Sequence, residues 1–581
     1  MLAELILGPM LRYVSETSAT IWVETDERCT MQILERSVPT FCVAGHHYAL
    51  AIIEGLEPAS SIEYDVRLDG VVRWPPSGSA LPPSRIRTLG DRGDGDQESG
   101  PGVARIVFGS CRTAAPHEAP WGLQLELDSR GRGVDALYTY ALSMVEHPAD
   151  QWPDLAVFLG DQIYADDSSP KARQLIAETR GDTDDGDPES APPPELVRGF
   201  EEYTMLYHES WSPEVERWFF SNVPSVMIFD DHEMIDDWNI SDEWVRDIRQ
   251  KPWWEDHVTG GLMTYWLYQH LGNLSPETIA SEGLLEQLGK LEDGEQLLRG
   301  WAMRSEEYTP VPGHYRFNFI RDVGRVRLVM IDSRNGRVLD PGGRKMVDDG
   351  EWKWVVDSCK VDVDHLLIGT SLPAFVPIGL HDLQIWSERI CDGAWGRPGR
   401  RVGEWLRIKA DLEDWAAFSR SFDALVDLLG DLADASRGAD APATISVLSG
   451  DIHFSFASEI RFPGGRQMVS RVHQLVSSPI RNALKGSERT AMRLGTSGFA
   501  RTLGRLLRRA VHRRRPQVLW DLDVGPVFAN SLAQLAFDGR SARMTVLQAP
   551  AHDEKVRPQF DRVIDFDLVA GSRAARPPGN S

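Results

Sequence analysis

Four strand-length apolar runs in this chain each lead straight into a short motif rich in possible ligands, and this fourfold pattern constrains the fold more than any other feature. The motifs are Phe108-Gly109-Ser110-Cys111-Arg112, Gly160-Asp161-Gln162-Ile163-Tyr164, Phe229-Asp230-Asp231-His232-Glu233 and Ser449-Gly450-Asp451-Ile452-His453. The runs before them, RIVF, DLAVFL, SVMIFD and TISVLS, are β-branched-rich and suit central strands buried on both faces. Each motif is then expected at the C-terminal end of a strand, where loops of layered α/β proteins carry chemistry. If the four strands share one sheet, the ligands meet along one edge.

The residue types point to two unlike metal ions. Cys111 and Tyr164 are anionic ligands suited to a ferric ion, whereas Asp161, Asp231 and Asp451 offer hard oxygens suited to calcium, magnesium or manganese. His453 adds a neutral nitrogen. The expected sets are Cys111, Asp161, Tyr164 and His453 for one ion and Asp161, Asp231 and Asp451 for the other, with Asp161 bridging. Two ions about 4 Å apart suit in-line displacement at phosphorus. Asp230 reads as a group supporting the ligands or as a helix cap, and Glu233 as a group that orients a ligand or starts a helix.

In order along the chain, FGSCR, LGDQIYADD, FDDHEMIDDWN and LSGDIHFSF, with MIDSRNGR and LLIGTSLP between the third and fourth, resemble the alkaline phosphatase D (PhoD-like) branch of the calcineurin-like metallophosphoesterases. The resemblance runs from about residue 104 to 480. It implies Fe3+ held by Cys111 and Tyr164, a bridging Asp161, and Asp231 where many relatives carry a metal-binding Asn. It further implies Asp451 on a Ca2+-type ion, with Mn2+ or Mg2+ as substitutes, His453 on the iron, and His232 assisting the leaving oxygen. The implied fold is a four-layer α/β sandwich of two mixed sheets flanked by helices, with an N-terminal fibronectin-like β-sandwich. The implied activity is phosphomonoester hydrolysis. A phosphodiesterase or phospholipase-D-like hydrolase is the alternative, and a noncatalytic binding protein with a relict metal site is a more distant one.

Residues 1–90 read as an all-β unit, with strands expected at LILGPML, SATIWVET, CTMQILE, HYALAII, SSIEYDVRL and GVVRW. The segment Gly55-Leu56-Glu57-Pro58 leading to Tyr64 resembles a tyrosine corner. An acidic, Gly-rich linker is expected at 91–102, a phosphatase domain over 103–570 with insertions at 180–194 and 483–516, and a flexible tail at 571–581. Residues 242–308 follow a helical pattern whose tryptophans suit a core. Asn239 is a candidate phosphate or metal contact. Arg337, and less so Arg334, is a candidate clamp for a substrate oxygen. LEDWAAFSRSFDALVDLLGDLADA has the apolar spacing of an amphipathic helix on the sheet.

A formal net charge of −25 argues against general affinity for nucleic acid. From Lys485 to Arg515, however, ten Lys or Arg stand against one acid, Glu488. Within that stretch Phe499, Leu503, Leu506, Leu507, Ala510 and Val511 suit a basic amphipathic helix, either a lid or a cationic rim that gathers anionic substrate or touches anionic lipid. The expected partner is a phosphate-ester substrate, with no sequence-specific nucleic acid and no obligate protein partner evident. The first 22 residues lack a basic stretch followed by a long apolar one, and no run reaches the roughly 20 apolar residues needed to cross a bilayer. Five widely spaced cysteines do not form a disulfide framework. The cytoplasm is the expected location.

Overall fold

The computed structural model describes residues 2–90, 103–180, 192–306, 316–340, 342–464, 467–513, 517–550 and 559–570. The linker expected at 91–102, most of the insertion expected at 180–194, and the tail at 571–581 lie outside the described residues.

Two mixed sheets form the core. The first holds six strands in the order Ser225–Met227, Leu155–Phe158, Ala104–Gly109, Ser531–Asp538, Ser541–Gln548 and Asp561–Asp567. Its first three strands are parallel, and Gly109 pairs with Phe158 as Phe158 pairs with Met227. Their ends are therefore aligned, and three ligand-bearing loops leave the sheet at the same level. The second sheet holds seven strands, centred on Val326–Ile331, His365–Thr370, Thr444–Ser449 and Arg471–Val476, all parallel. Every residue of Leu155–Phe158, His365–Thr370 and Thr444–Ser449 is buried. Continuous apolar runs are what strands covered on both faces require, and each buried Val, Leu or Phe contributes about 1.5–3 kcal/mol.

The four motif-bearing strands are divided between the two sheets. Three motifs leave the first sheet and the fourth, after Thr444–Ser449, leaves the second, so the ligands meet where the two sheets abut. The approach is close. A Cβ on Gly450 would lie 2.1 Å from the Ser110 hydroxyl, so only glycine lets the two strand ends meet there, and the Asp451 N–H donates to that hydroxyl at 3.1 Å.

The N-terminal region is all β, with four-stranded sheets built on Ser18–Thr25 and Thr30–Ile33 and a two-stranded pair, Ser61–Tyr64 with Ser84–Arg87. The run SSIEYDVRL divides, since Ser61–Tyr64 and Val66–Leu68 enter different sheets. Tyr64 makes no corner with its own upstream backbone. Its hydroxyl donates to the Ser221 carbonyl at 2.6 Å, tying this region to the helix Glu214–Asn222. Arg12, buried, donates to the carbonyls of Tyr268, at 3.1 Å, and Gln269. Trp238, Trp244 and Trp254 pack on one another as a helical core, and Leu425, Leu429 and Leu432 of Ser419–Ala433 are buried.

A second tie makes stability depend on pH. His46 bonds Glu24 at 3.0 Å and Glu201, on the helix Gly199–Trp211, at 2.8 Å, and His208 of that helix also bonds Glu24 at 3.0 Å. Burial alone would lower the His46 pKa, but hydrogen bonds to Glu201 and Glu24 outweigh it and raise the value to about 9. A raised histidine stabilises fully below its unfolded pKa of about 6.5 and loses that contribution as pH rises through about 9. The thermal midpoint of the wild type should therefore exceed that of His46→Phe near pH 6.5, with the gap shrinking towards pH 9. A gap that is constant across this range would refute the linkage.

Among the described residues no helix is long and apolar enough to cross a membrane. All five cysteines are buried, unpaired thiols.

Candidate metal centre and active site

The loops bring ligand types together in overlapping groups. Among the described residues, one ligand atom each from Cys111, Asp161 and His453 lie within 4.8 Å of one another, and so do those of Asp161, Asp231 and His232 and those of Asp230, Asp231 and Asp451. Asp161 belongs to two of these groups. Asp231 is common to the second and third groups and so links Asp161 with Asp451, while Asp230 joins Asp451 beside it. Tyr164 donates to Asp161 Oδ2 at 3.3 Å and accepts from the Asn482 amide at 2.9 Å.

The backbone is bent to make this convergence. Cys111, Asp161, Asn239, Asp451 and His453 all have positive φ, between 48° and 63°, a region that costs a side-chain-bearing residue of order 1 kcal/mol or more and persists only where surrounding contacts enforce it. Glu233 supplies much of that enforcement. Its carboxylate accepts the backbone N–H groups of Asp161 at 3.1 Å, Gln162 at 2.7 Å and Asp230 at 2.8 Å. It therefore orients the loop that carries Asp161 while it closes the helical turn Asp231–Glu233.

Negative charge exceeds what the protein itself neutralises. Among the described residues, Asp161 Oδ1 and Asp230 Oδ2 are buried without a hydrogen-bond partner. Burial, then Asp230, pushes the Asp161 carboxyl well above the usual carboxylate range, and the same two causes raise Asp451. The Cys111 thiol is likewise raised by burial and then by Asp161 and Asp451, although the Ser110 hydroxyl at 3.1 Å and the Ser478 hydroxyl at 3.3 Å flank its sulfur. Burial pushes His453 down to about 4, which keeps its imidazole neutral and able to ligate. A thiol, a phenol, a neutral imidazole and unpartnered buried carboxylates fit bound cations of high charge.

One cation of the protein already lies inside the cluster. Arg334, fully buried, reaches Asp230, Asp231 at 3.1 Å, Asp451 at 3.1 Å and Glu413. It opposes the burial that would raise Asp231 and holds that carboxyl low. Arg337, the arginine favoured as a clamp in the sequence, lies further from Asp230, Asp231 and Asp451. Arg337 is buried behind the site, where it donates to the carbonyls of Ser333 at 2.9 Å and Trp238 at 3.0 Å and to Glu413 at 2.9 Å. These bonds brace the loop. Asn239 is half-buried and its amide donates to the Arg334 carbonyl at 3.2 Å.

His232 stands apart in its bonding. Its Nδ1 meets Asp166 Oδ1 at 2.8 Å, and its ring lies against Tyr164 at 4.7 Å. Burial would lower its pKa, but Asp166 overrides that and raises it well above the ordinary histidine value. Asp166 went unread, although it sits in the YADD part of the second motif. Asn482 gave no signal in the sequence. A cavity of about 780 Å³, lined by His453, Asn482, Arg489, Arg493 and Phe528 among others, opens beside the cluster.

The family model described as PhoD-like phosphatase matches residues 137–269, which contain Asp161, Tyr164, Asp231 and His232. That segment is a PhoD-like phosphatase domain, and it makes the chain a phosphoester hydrolase. Cys111, Asp451 and His453 fall outside the matched segment and come beside it through the fold. A second model, described as a domain of unknown function (DUF7800), matches residues 2–86. A solved structure of PhoD aligns over 97% of this chain and 91% of that chain, at 11% identity and a TM-score of 0.57, a likeness of fold. A purple acid phosphatase, PPD1 from yellow lupin (Lupinus luteus) seeds, aligns over 98% of this chain and 77% of that chain, at 10% identity and a TM-score of 0.44. No curated protein matches.

Proposed function

We propose that this PhoD-like enzyme hydrolyses phosphomonoesters at a dinuclear centre, with Fe3+ held by Cys111, Asp161, Tyr164 and His453 and a harder ion, Ca2+ or in its place Mn2+ or Mg2+, held by Asp161, Asp231 and Asp451. The observation that carries this reading is the meeting of Cys111, Asp161 and His453 within 4.8 Å from three strand ends in two sheets, around an Asp161 oxygen that no group among the described residues satisfies. The bound cations would supply positive charge to the phosphoryl oxygens and acidify water at neutral pH.

The remaining work falls to the chain. Asp166 accepts from His232 Nδ1, which fixes the tautomer and leaves Nε2 to carry the proton given to the leaving oxygen. Ser110 and Ser478 steady the Cys111 sulfur, and Asn482 donates to the Tyr164 oxygen. Asp230 and Glu413 hold Arg334, whose charge limits repulsion between Asp231 and Asp451. Asn239, half-buried beside Arg334, is the side chain we assign to contact substrate. Five unpaired buried thiols fit a reducing compartment, the cytoplasm.

Purification without chelator, metal analysis and a panel of phosphate esters test this directly. Thiolate and phenolate ligands should give a coloured protein with about one iron per chain, and Cys111→Ala or Tyr164→Phe should alter its visible absorption. Hydrolysis of p-nitrophenyl phosphate should exceed that of bis(p-nitrophenyl) phosphate, whereas the reverse order would make the enzyme a diesterase. Full activity in colourless, metal-free protein would refute the centre itself.

A further inference from the structure

The basic segment forms two helices, Gly486–Gly495 and Gly498–Ala510, with Ser497 capping the second through the Ala500 N–H. On the second helix Phe499, Leu503 and Leu506 recur at i, i+4 and i+7, which places them in one stripe. They are 73%, 45% and 57% exposed. The stripe is not a core face left open by loose packing, because the helix is already anchored along its other flank. Leu507 and Val511 pack with Trp386 and Ile390, and Arg508 reaches Asp382 at 2.7 Å.

Charge surrounds the stripe. Arg505 and Arg509 are exposed and have no carboxylate partner among the described residues. Just before the helix, Leu494 is 61% exposed beside an exposed Arg493. The helix Gly396–Lys409, packed on the same Ile378–Cys391 helix, leaves Val402 and Trp405 exposed and carries Arg397, Arg400 and Arg401. Large apolar side chains in water and arginines without anions make two demands on one outward helix face, in a chain whose net charge is −25. A bilayer with anionic headgroups meets both. The stripe enters the boundary between headgroups and acyl chains, and the arginines extend along it to the phosphates.

We propose that Gly498–Ala510 is an interfacial helix that docks this protein on an anionic lipid bilayer. The test mixes the full chain with vesicles of phosphatidylcholine alone or of phosphatidylcholine with phosphatidylglycerol, and measures co-sedimentation at low and physiological salt. Partition onto the anionic vesicles should exceed that onto the neutral ones by about tenfold or more and weaken as salt rises. Arg505→Glu combined with Arg509→Glu should lower it about tenfold or more. Leu503→Asp combined with Leu506→Asp should lower it comparably, and unchanged hydrolysis of a soluble ester by that variant shows the fold intact. Absent binding, equal binding to both vesicle types, or binding that survives Leu503→Asp with Leu506→Asp would overturn the proposal. So would self-association that the same double variant abolishes in a protein that ignores vesicles, since the face would then belong to a second copy.

Discussion

Asp161→Asn is expected to empty the metal centre and abolish catalysis in one step, with kcat/KM falling by about 10³-fold or more, which corresponds to ~4 kcal/mol of lost transition-state stabilisation. The substitution keeps size and shape and removes only charge and one ligand oxygen. Asp161 contributes to two of the three ligand groups in the site, and its Oδ1 has no partner among the described residues. The same change should leave the metal-free protein at least as stable as the wild type. Burial and Asp230 raise the Asp161 pKa, and a carboxylate whose folded pKa is raised opposes folding at neutral pH. Calorimetry with and without chelator separates the effects. Wild type should gain stability on metal loading, and Asp161→Asn should gain little. Retention of both metals by Asp161→Asn would show that another residue bridges them.

How much of this was legible depended on whether the signal was local. A β-branched run followed by a short ligand-rich motif states a strand, its end and its candidate chemistry within about ten residues, and Cys111, Asp161, Asp231 and His453, read that way, come together in overlapping groups. Sheet membership is not local. Some two hundred residues separate the third motif from the fourth, and nothing in TISVLS says that it pairs with His365–Thr370 and not with Leu155–Phe158. The two arginines show the same limit at short range. Arg334 and Arg337 share one loop and one residue type, yet three residues of backbone put Arg334 among the carboxylates and Arg337 behind them. Tyr64 followed a familiar local pattern, but its hydroxyl answered to a carbonyl 157 residues away. Asp166 was within reach of inspection, two residues past Tyr164. Asn482 was not, because a lone asparagine after a strand carries no spacing to read.

His232→Ala is expected to lower turnover about 10²–10⁴-fold while leaving metal content near that of the wild type, because the assigned task is proton transfer and not ligation. The rival role has support in the geometry, since an imidazole nitrogen of His232 lies within 4.8 Å of oxygens on Asp161 and Asp231. The leaving group discriminates between the two. p-Nitrophenolate departs with little need of a proton, whereas an alkoxide does not, so His232→Ala should harm an alkyl phosphate far more than p-nitrophenyl phosphate. Asp166→Asn should follow the same pattern with a smaller loss, about 10–100-fold, since Asp166 acts only by holding Nδ1 at 2.8 Å. If His232→Ala instead loses metal and slows both substrates equally, the imidazole is a ligand and the proton comes from elsewhere. Loss of metal in Asp166→Asn as well would extend that conclusion to the pair, with Asp166 orienting a ligand in place of an acid.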